Sequence, residues 1–208
     1  MAGVVEAIRR GEPVQLPADG VYGLCSSIDE AAVRRLYALK GRADVQPTAV
    51  IAASIDALLD LVPELRGRSE AVARALLPGA FTLVLPNPAR RYPWLNGASP
   101  ETIGVRVPVL PEVTQRVLGE VGAVAATSAN EPGEPAAASL DEVPERVRAG
   151  CGAEVDAGRL PGIASTVLDF SGDEPRVLRE GAARSAEALA RVAAALAAEG
   201  LRPHDVYD

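Results

Sequence analysis

Along this chain, continuous apolar runs alternate with amphipathic stretches whose apolar positions recur at helical spacing, and the two periods separate strands from helices. The pattern predicts an opening helix through Arg10 closed by Gly11, an apolar strand near Val14 to Leu16, and a helix from about 30 to 39. TAVIAA (48–53) and FTLVL (81–85) read as strands separated by two helices around Leu58 and Val72. TIGVRV (102–107), AVAAT (123–127), STVLDF (165–170) and RVLR (176–179) read as further strands, with helices over PEVTQRVLGEV (111–121) and around Val147. A last helix runs from about 186 to 197 with Ser185 as its N-cap. The alternation predicts one α/β domain. PADGVYG (17–23), LPGAF (77–81), SANEPGEPA (128–136) and LREG (178–181) read as loops at strand ends, where such sheets place their ligands.

Composition narrows the chemistry. A chain of 208 residues with 48% hydrophobic content is long enough to bury a substantial core. A net charge of -7 argues against broad, sequence-independent nucleic-acid binding, which needs a basic face, although a local basic cleft stays compatible with it. Cys25 and Cys151 are too few for a disulfide framework or a zinc site and suit a reducing cytoplasm. The N-terminus lacks the apolar core of a signal peptide, and no apolar run has the length of a membrane span, so a soluble cytoplasmic protein is expected. His204, the single histidine, lies in a polar tail after Pro203, which disfavours a histidine-based triad or a histidine-ligated metal. Neither a P-loop nor a GxGxxG turn occurs, so a bound nucleotide would be held mainly by side chains.

Lys40 is the only lysine beside twenty arginines. In LYALKGR (36–42) it ends the second predicted helix, where a compact ammonium suits a phosphate, and where a cation before a C′ glycine, Gly41, is equally what a helix terminus favours. The strand period of TIGVRV puts Thr102, Gly104 and Arg106 on one face and Ile103, Val105 and Val107 on the other. Glycine beside arginine leaves room for a ligand whose carboxylate the guanidinium would take, and a solvated strand arginine fits the same pattern. ATSAN brings Thr127, Ser128 and Asn130 to a strand end, as phosphate ligands or as ordinary turn caps.

Taken in order, PADGVYGL, LYALKGR, LPGAFTLVL, IGVRVP, ATSAN, ASTVLDF and VLREG resemble the YrdC/TsaC family of L-threonylcarbamoyladenylate synthases over roughly residues 4 to 181. The resemblance implies a twisted mixed sheet with flanking helices around a wide concave cleft, residues 1–183 as the catalytic domain and 184–208 as its C-terminal helix and polar tail. It implies condensation of L-threonine, bicarbonate and ATP, with Mg²⁺ carried on ATP, followed by transfer of the threonylcarbamoyl group to tRNA by other proteins. Binding of tRNA by the chain itself would be weak at most. Lys40 and Arg42, from the family's K-x-R element, and Ser128 and Asn130, from S-x-N, would hold the triphosphate and act in catalysis. Thr82 and Arg179 would contact the nucleotide. Arg106 would pair with the amino-acid carboxylate in a pocket lined by Ala18, Ala126 and Ser165. Lys40→Ala is accordingly expected to slow the reaction and to leave fold stability nearly unchanged.

The chain departs from the family in its first block, usually P-T-D/E-T-x-Y-G-L: Ala18 and Gly20 replace both threonines, removing a hydroxyl at the amino-acid site and adding backbone freedom. The family's K-P-L becomes Gln46-Pro47-Thr48, and a serine beyond S-x-N becomes Ala136. Alternatives to the synthase are a paralogue that adenylates another carboxylated or carbamoylated small molecule, and a non-catalytic nucleotide- or RNA-binding module.

Overall fold

The computed structural model describes residues 1–41, 47–131 and 133–201. Its elements run α1 (Ala2–Arg9), β1 (Val14–Pro17), β2 (Tyr22–Ser26), α2 (Glu30–Lys40), β3 (Ala49–Ala52), α3 (Ile55–Leu61), α4 (Arg68–Leu76), β4 (Phe81–Pro86) and β5 (Thr102–Arg106). Then follow α5 (Glu112–Val121), β6 (Ala123–Ser128), α6 (Glu145–Ala149), β7 (Ala153–Glu154), β8 (Thr166–Asp169), β9 (Arg176–Arg179) and α7 (Ser185–Ala198). Among the described residues the strands form one sheet in the order β7-β1-β2-β6-β3-β5-β4-β8-β9. It is mixed: β1 with β7, β3 with β5 and β4 with β8 are parallel, and the other neighbours are antiparallel. This is the α/β architecture that the alternating pattern predicts.

Three details differ from the sequence expectation. Tyr22 and Gly23, read as loop, begin β2, which pairs with β1 as a hairpin. Every residue of β2 is buried, so it lacks the apolar/polar alternation that marks a half-exposed strand. The two-residue β7 is too short to leave a pattern. Ser185 is not a cap: Arg184 holds the N-cap position of α7 with no side-chain cap bond, and the Ser185 hydroxyl donates to Glu180.

The two faces of the sheet are covered unequally, and that inequality makes the cleft. On one face Val33, Leu36 and Tyr37 of α2, Leu58 of α3, Val72 and Leu76 of α4, Val147 of α6, and Val192 and Leu196 of α7 pack on Leu24, Val50, Leu83, Ile103, Val105 and Leu168. Burying side chains of this size contributes about 1.5 to 3 kcal/mol each, so this face is the main core. On the other face α1 and α5 supply a smaller cluster, with Val5 and Ile8 and with Val117 and Leu118 set on Val14, Leu16, Cys25, Ile51 and Val124. Further along that face, Thr82, Val84, Thr102, Gly104, Arg106 and Val167 are half-buried and floor an open cleft of about 760 Å³. β5 shows the logic of the whole face: Ile103 and Val105 are fully buried in the core while Thr102, Gly104 and Arg106 look into the cleft, as the strand period predicts.

Candidate active site

One end of the cleft is organised by α2. Asp29 caps the helix by accepting from the Ala32 N–H at 2.9 Å, and Gly41, at φ 65°, turns the chain off its C-terminus in the left-handed region as the sequence predicts. Lys40, on the last turn, is 4% exposed, so it is a buried ammonium rather than a surface cation. Its Nζ donates to the Ser128 carbonyl at 2.6 Å, to Asn130 Oδ1 at 3.1 Å and to the Asn130 carbonyl. The Asn130 amide nitrogen in turn donates to the Glu131 carbonyl at 2.9 Å and to the Glu134 carbonyl. From α6, Arg146 donates to the Leu39 carbonyl at 2.6 Å and pairs with Glu131 at 3.1 Å, tying the helix end to the same loop. Lys40, Ser128 and Asn130 are thus brought together, and Ser128 and Asn130 line the cleft. Arg42 lies outside the described residues. The burial of Lys40 revises the expectation for Lys40→Ala, because the ammonium donates to three half-buried acceptors of the 128–130 loop.

The other end is built by β4, β5, β8 and β9. Thr82 and Ser165 share a hydroxyl–hydroxyl bond of 2.8 Å. Arg179 grips the Ser165 carbonyl with Nε at 3.1 Å and Nη2 at 2.9 Å. This grip needs a close backbone approach: a Cβ on Gly181 would lie 2.3 Å from the Ala164 carbonyl oxygen, so the glycine of LREG is a packing requirement. Arg106 donates through Nη2 to Asp19 Oδ1 at 2.7 Å. Burial, and then the neighbouring Arg106 charge, hold the Arg179 guanidinium below its ordinary pKa, so two cations neighbour each other where the largely exposed Arg179 meets the cleft. Such a pair is a receptor for anions.

Ala18, Ala126 and Ser165 also line the cleft. Sequence reasoning passed over Asp19, although it is the one carboxylate in PADGVYG. It also passed over Thr48 and Asn96, cleft-wall residues whose Oγ1 and Oδ1 are buried without a partner among the described residues. Gly20 has a reason other than backbone freedom: a Cβ there would sit 2.0 Å from the Ile163 carbonyl oxygen. The segment after β7 crosses the 18–21 turn at this point, with the Gly162 N–H donating to the Gly20 carbonyl at 2.8 Å and Tyr22 Oη donating to the Gly158 carbonyl at 2.8 Å. Neither cysteine offers a nucleophile, since burial pushes the Cys25 thiol up to about 12 and the Cys151 thiol up to about 11.

A family model, Sua5/YciO/YrdC, described as "Telomere recombination", matches residues 6–181. The chain belongs to the Sua5/YciO/YrdC family. The putative threonylcarbamoyl-AMP synthase of Mycobacterium leprae is 36% identical over 203 residues, covering 95% of this chain and 91% of that protein. Among solved structures, that of Pyrococcus abyssi Sua5 complexed with L-threonine superposes with a TM-score of 0.80 at 32% identity, over 90% of this chain and 55% of that one. Escherichia coli YciO superposes with a TM-score of 0.74 at 25% identity, over 86% of this chain and 88% of that one. The Sua5/YciO/YrdC member described here thus spans about half the length of the Pyrococcus protein.

Proposed function

We propose that this chain is an L-threonylcarbamoyl-AMP synthase, an adenylyl-transferring enzyme that condenses L-threonine, bicarbonate and ATP into threonylcarbamoyl-adenylate, pyrophosphate and water. The observation that carries the reading is a single cleft with two unlike polar ends, one holding two arginines and the other a cation-organised loop. Relatives over most of the chain bear the synthase name, and Pyrococcus Sua5 takes L-threonine in its structure.

The threonine amine forms a C–N bond to the bicarbonate carbon with loss of water, giving a carbamate. A carbamate oxygen then attacks the α-phosphorus of ATP, and the bond from that phosphorus to the bridging oxygen breaks, so pyrophosphate leaves with the electron pair. Such a step needs positioning and charge neutralisation rather than a histidine base. Arg106 takes the threonine carboxylate, with Ala18, Ala126 and Ser165 shaping the pocket around it. Thr82 and Arg179 contact the nucleotide. Ser128 and Asn130 hold the triphosphate on the loop that Lys40 organises, and Lys40 and Arg42 supply the charge that offsets the leaving pyrophosphate.

Mg²⁺ belongs to this reading as a passenger on ATP, where it would neutralise phosphate charge. Among the described residues no group of three or more His, Cys, Asp or Glu side chains is placed to hold a metal. Among the described residues no helix is long and apolar enough to cross a membrane. We place the activity in the cytoplasm, upstream of proteins that carry the threonylcarbamoyl group to tRNA, with residues 1–183 as the catalytic body and 184–208 as its appended helix and tail. The test is pyrophosphate release from ATP, with and without bicarbonate, across a panel of amino acids. Release that depends on both bicarbonate and L-threonine is expected. Release driven equally by serine or alanine would overturn threonine as the substrate.

A further inference from the structure

The sheet brings Asp19 and Arg106 together from 87 positions apart. Both side chains are 12% exposed, and they meet through one contact, Nη2 to Oδ1 at 2.7 Å. Asp19 Oδ2 and Arg106 Nε are buried without partners among the described residues. An arginine–carboxylate pair selected for stability alone would close side-on with two parallel bonds, because each unmet buried polar atom carries its full desolvation cost. Here the carboxylate engages one amino group only, and the arginine stands in the cleft wall beside Arg179.

We propose that Asp19 is a positioning residue for the amino-acid site: it pins the Arg106 guanidinium through Nη2 so that the Nη1 edge faces the cleft. Its negative charge also offsets the mutual repulsion of Arg106 and Arg179 until an anionic ligand arrives. The inference rests on the reading that Arg106 receives the amino-acid carboxylate. It explains why the first loop keeps an acid at 19 while both neighbouring hydroxyls are lost. Asp19 acts through Arg106 and does not touch the reacting atoms.

Nitrogen-detected NMR of the arginine guanidinium groups, on the full chain without substrate, separates this from a merely structural role. Wild-type Arg106 should show hindered rotation and Asp19→Ala averaged rotation. Asp19→Asn, which keeps an acceptor at the same place, should retain the hindrance. In the synthase assay Asp19→Ala should raise KM for L-threonine about tenfold, the scale set by losing one aimed hydrogen bond, and Asp19→Asn should recover most of it. KM for ATP should rise less than KM for L-threonine, since Thr82 and Arg179 keep their own bonds to Ser165 and the Ser128–Asn130 loop lies at the far end of the cleft. Rotation as hindered in Asp19→Ala as in wild type would overturn the inference. So would a parallel rise in both KM values, which signals general loosening. A wild-type chain with no threonine-dependent release would instead defeat the functional reading, and the NMR comparison would still decide whether Asp19 holds Arg106.

Discussion

The two ends of the cleft use cationic side chains in opposite ways. At the α2 end Lys40 is buried and its ammonium is committed to carbonyl and amide oxygens of the 128–130 loop. At the β5–β9 end Arg106 and Arg179 line the cleft, each held on one side by the protein, with Arg179 close enough to feel the Arg106 charge. A strongly hydrated point charge is expensive to bury unless converging acceptors replace its water, whereas a guanidinium gives one edge to the protein and keeps another for a ligand. The first end is therefore a loop shaped by its cation, and the second presents its cations directly to the cleft. A flexible stem ending in three donors lets Lys40 meet the carbonyl and amide oxygens of the loop at once.

Lys40→Ala should produce the largest effect and tests the first half of the contrast. It removes the donor from three half-buried acceptors, so it should cost about 1 to 3 kcal/mol of fold stability by thermal or denaturant unfolding. It should also lower kcat by at least about a hundredfold, through lost charge and a displaced loop. Lys40→Arg should fail to rescue either quantity. An alanine variant with wild-type stability would show that the loop stands without the ammonium.

Two glycines sharpen the contrast, because Gly20, in the turn beside the cleft, faces backbone while Gly104, in its floor, faces open space. A Cβ at Gly20 would strike the Ile163 carbonyl oxygen, so Gly20→Thr should destabilise by about 1 to 3 kcal/mol by overpacking against backbone. Restoring both family threonines together is thus ruled out as a clean experiment. At Gly104 a Cβ would meet Ala49 at 3.5 Å, ordinary contact distance, and would otherwise project over the cleft floor. Gly104→Val should leave stability within about 0.5 kcal/mol of wild type, as surface-like substitutions usually do, yet weaken substrate binding about tenfold. Isothermal titration beside thermal unfolding reads both numbers, and equal losses at the two glycines would erase the distinction.

The parts of this molecule that were legible in the sequence are those written in local periodicity. β5 is the clearest case, since alternation alone divides Ile103 and Val105 from Gly104 and Arg106, and the structure divides them the same way. The αL turn at Gly41 follows as directly from its place after a helical run. β2 escaped because burial on both faces erases alternation, and Ser185 misled because a hydroxyl at a helix start has more than one available partner. Asp19, the burial of Lys40 and the clash at Gly20 depend on segments 87, 88 to 90 and 143 residues away, respectively, and no local pattern encodes such meetings. Motif order alone brought Lys40, Ser128 and Asn130 into one group, and the fold brings them into contact.

The smallest expected effect concerns Ala18, at the arginine end. Ala18 is 6% exposed and lines the cleft beside the Asp19–Arg106 pair, so a hydroxyl introduced there would reach toward whatever Arg106 holds. Ala18→Thr on its own avoids the Gly20 clash. One neutral hydrogen bond is worth about 0.5 to 1.5 kcal/mol, so the variant should lower KM for L-threonine by up to roughly tenfold, with kcat nearly constant. The added methyl and hydroxyl must fit a well-packed turn, which sets against this a cost of about 1 kcal/mol in unfolding free energy. If the wild-type pocket already satisfies the threonine hydroxyl by another route, the variant should gain nothing for threonine while its use of serine and alanine also stays flat. A gain for serine or alanine that exceeds the gain for threonine would show that residue 18 faces a different substrate group, and that the Arg106 end reads more of the amino acid than its carboxylate.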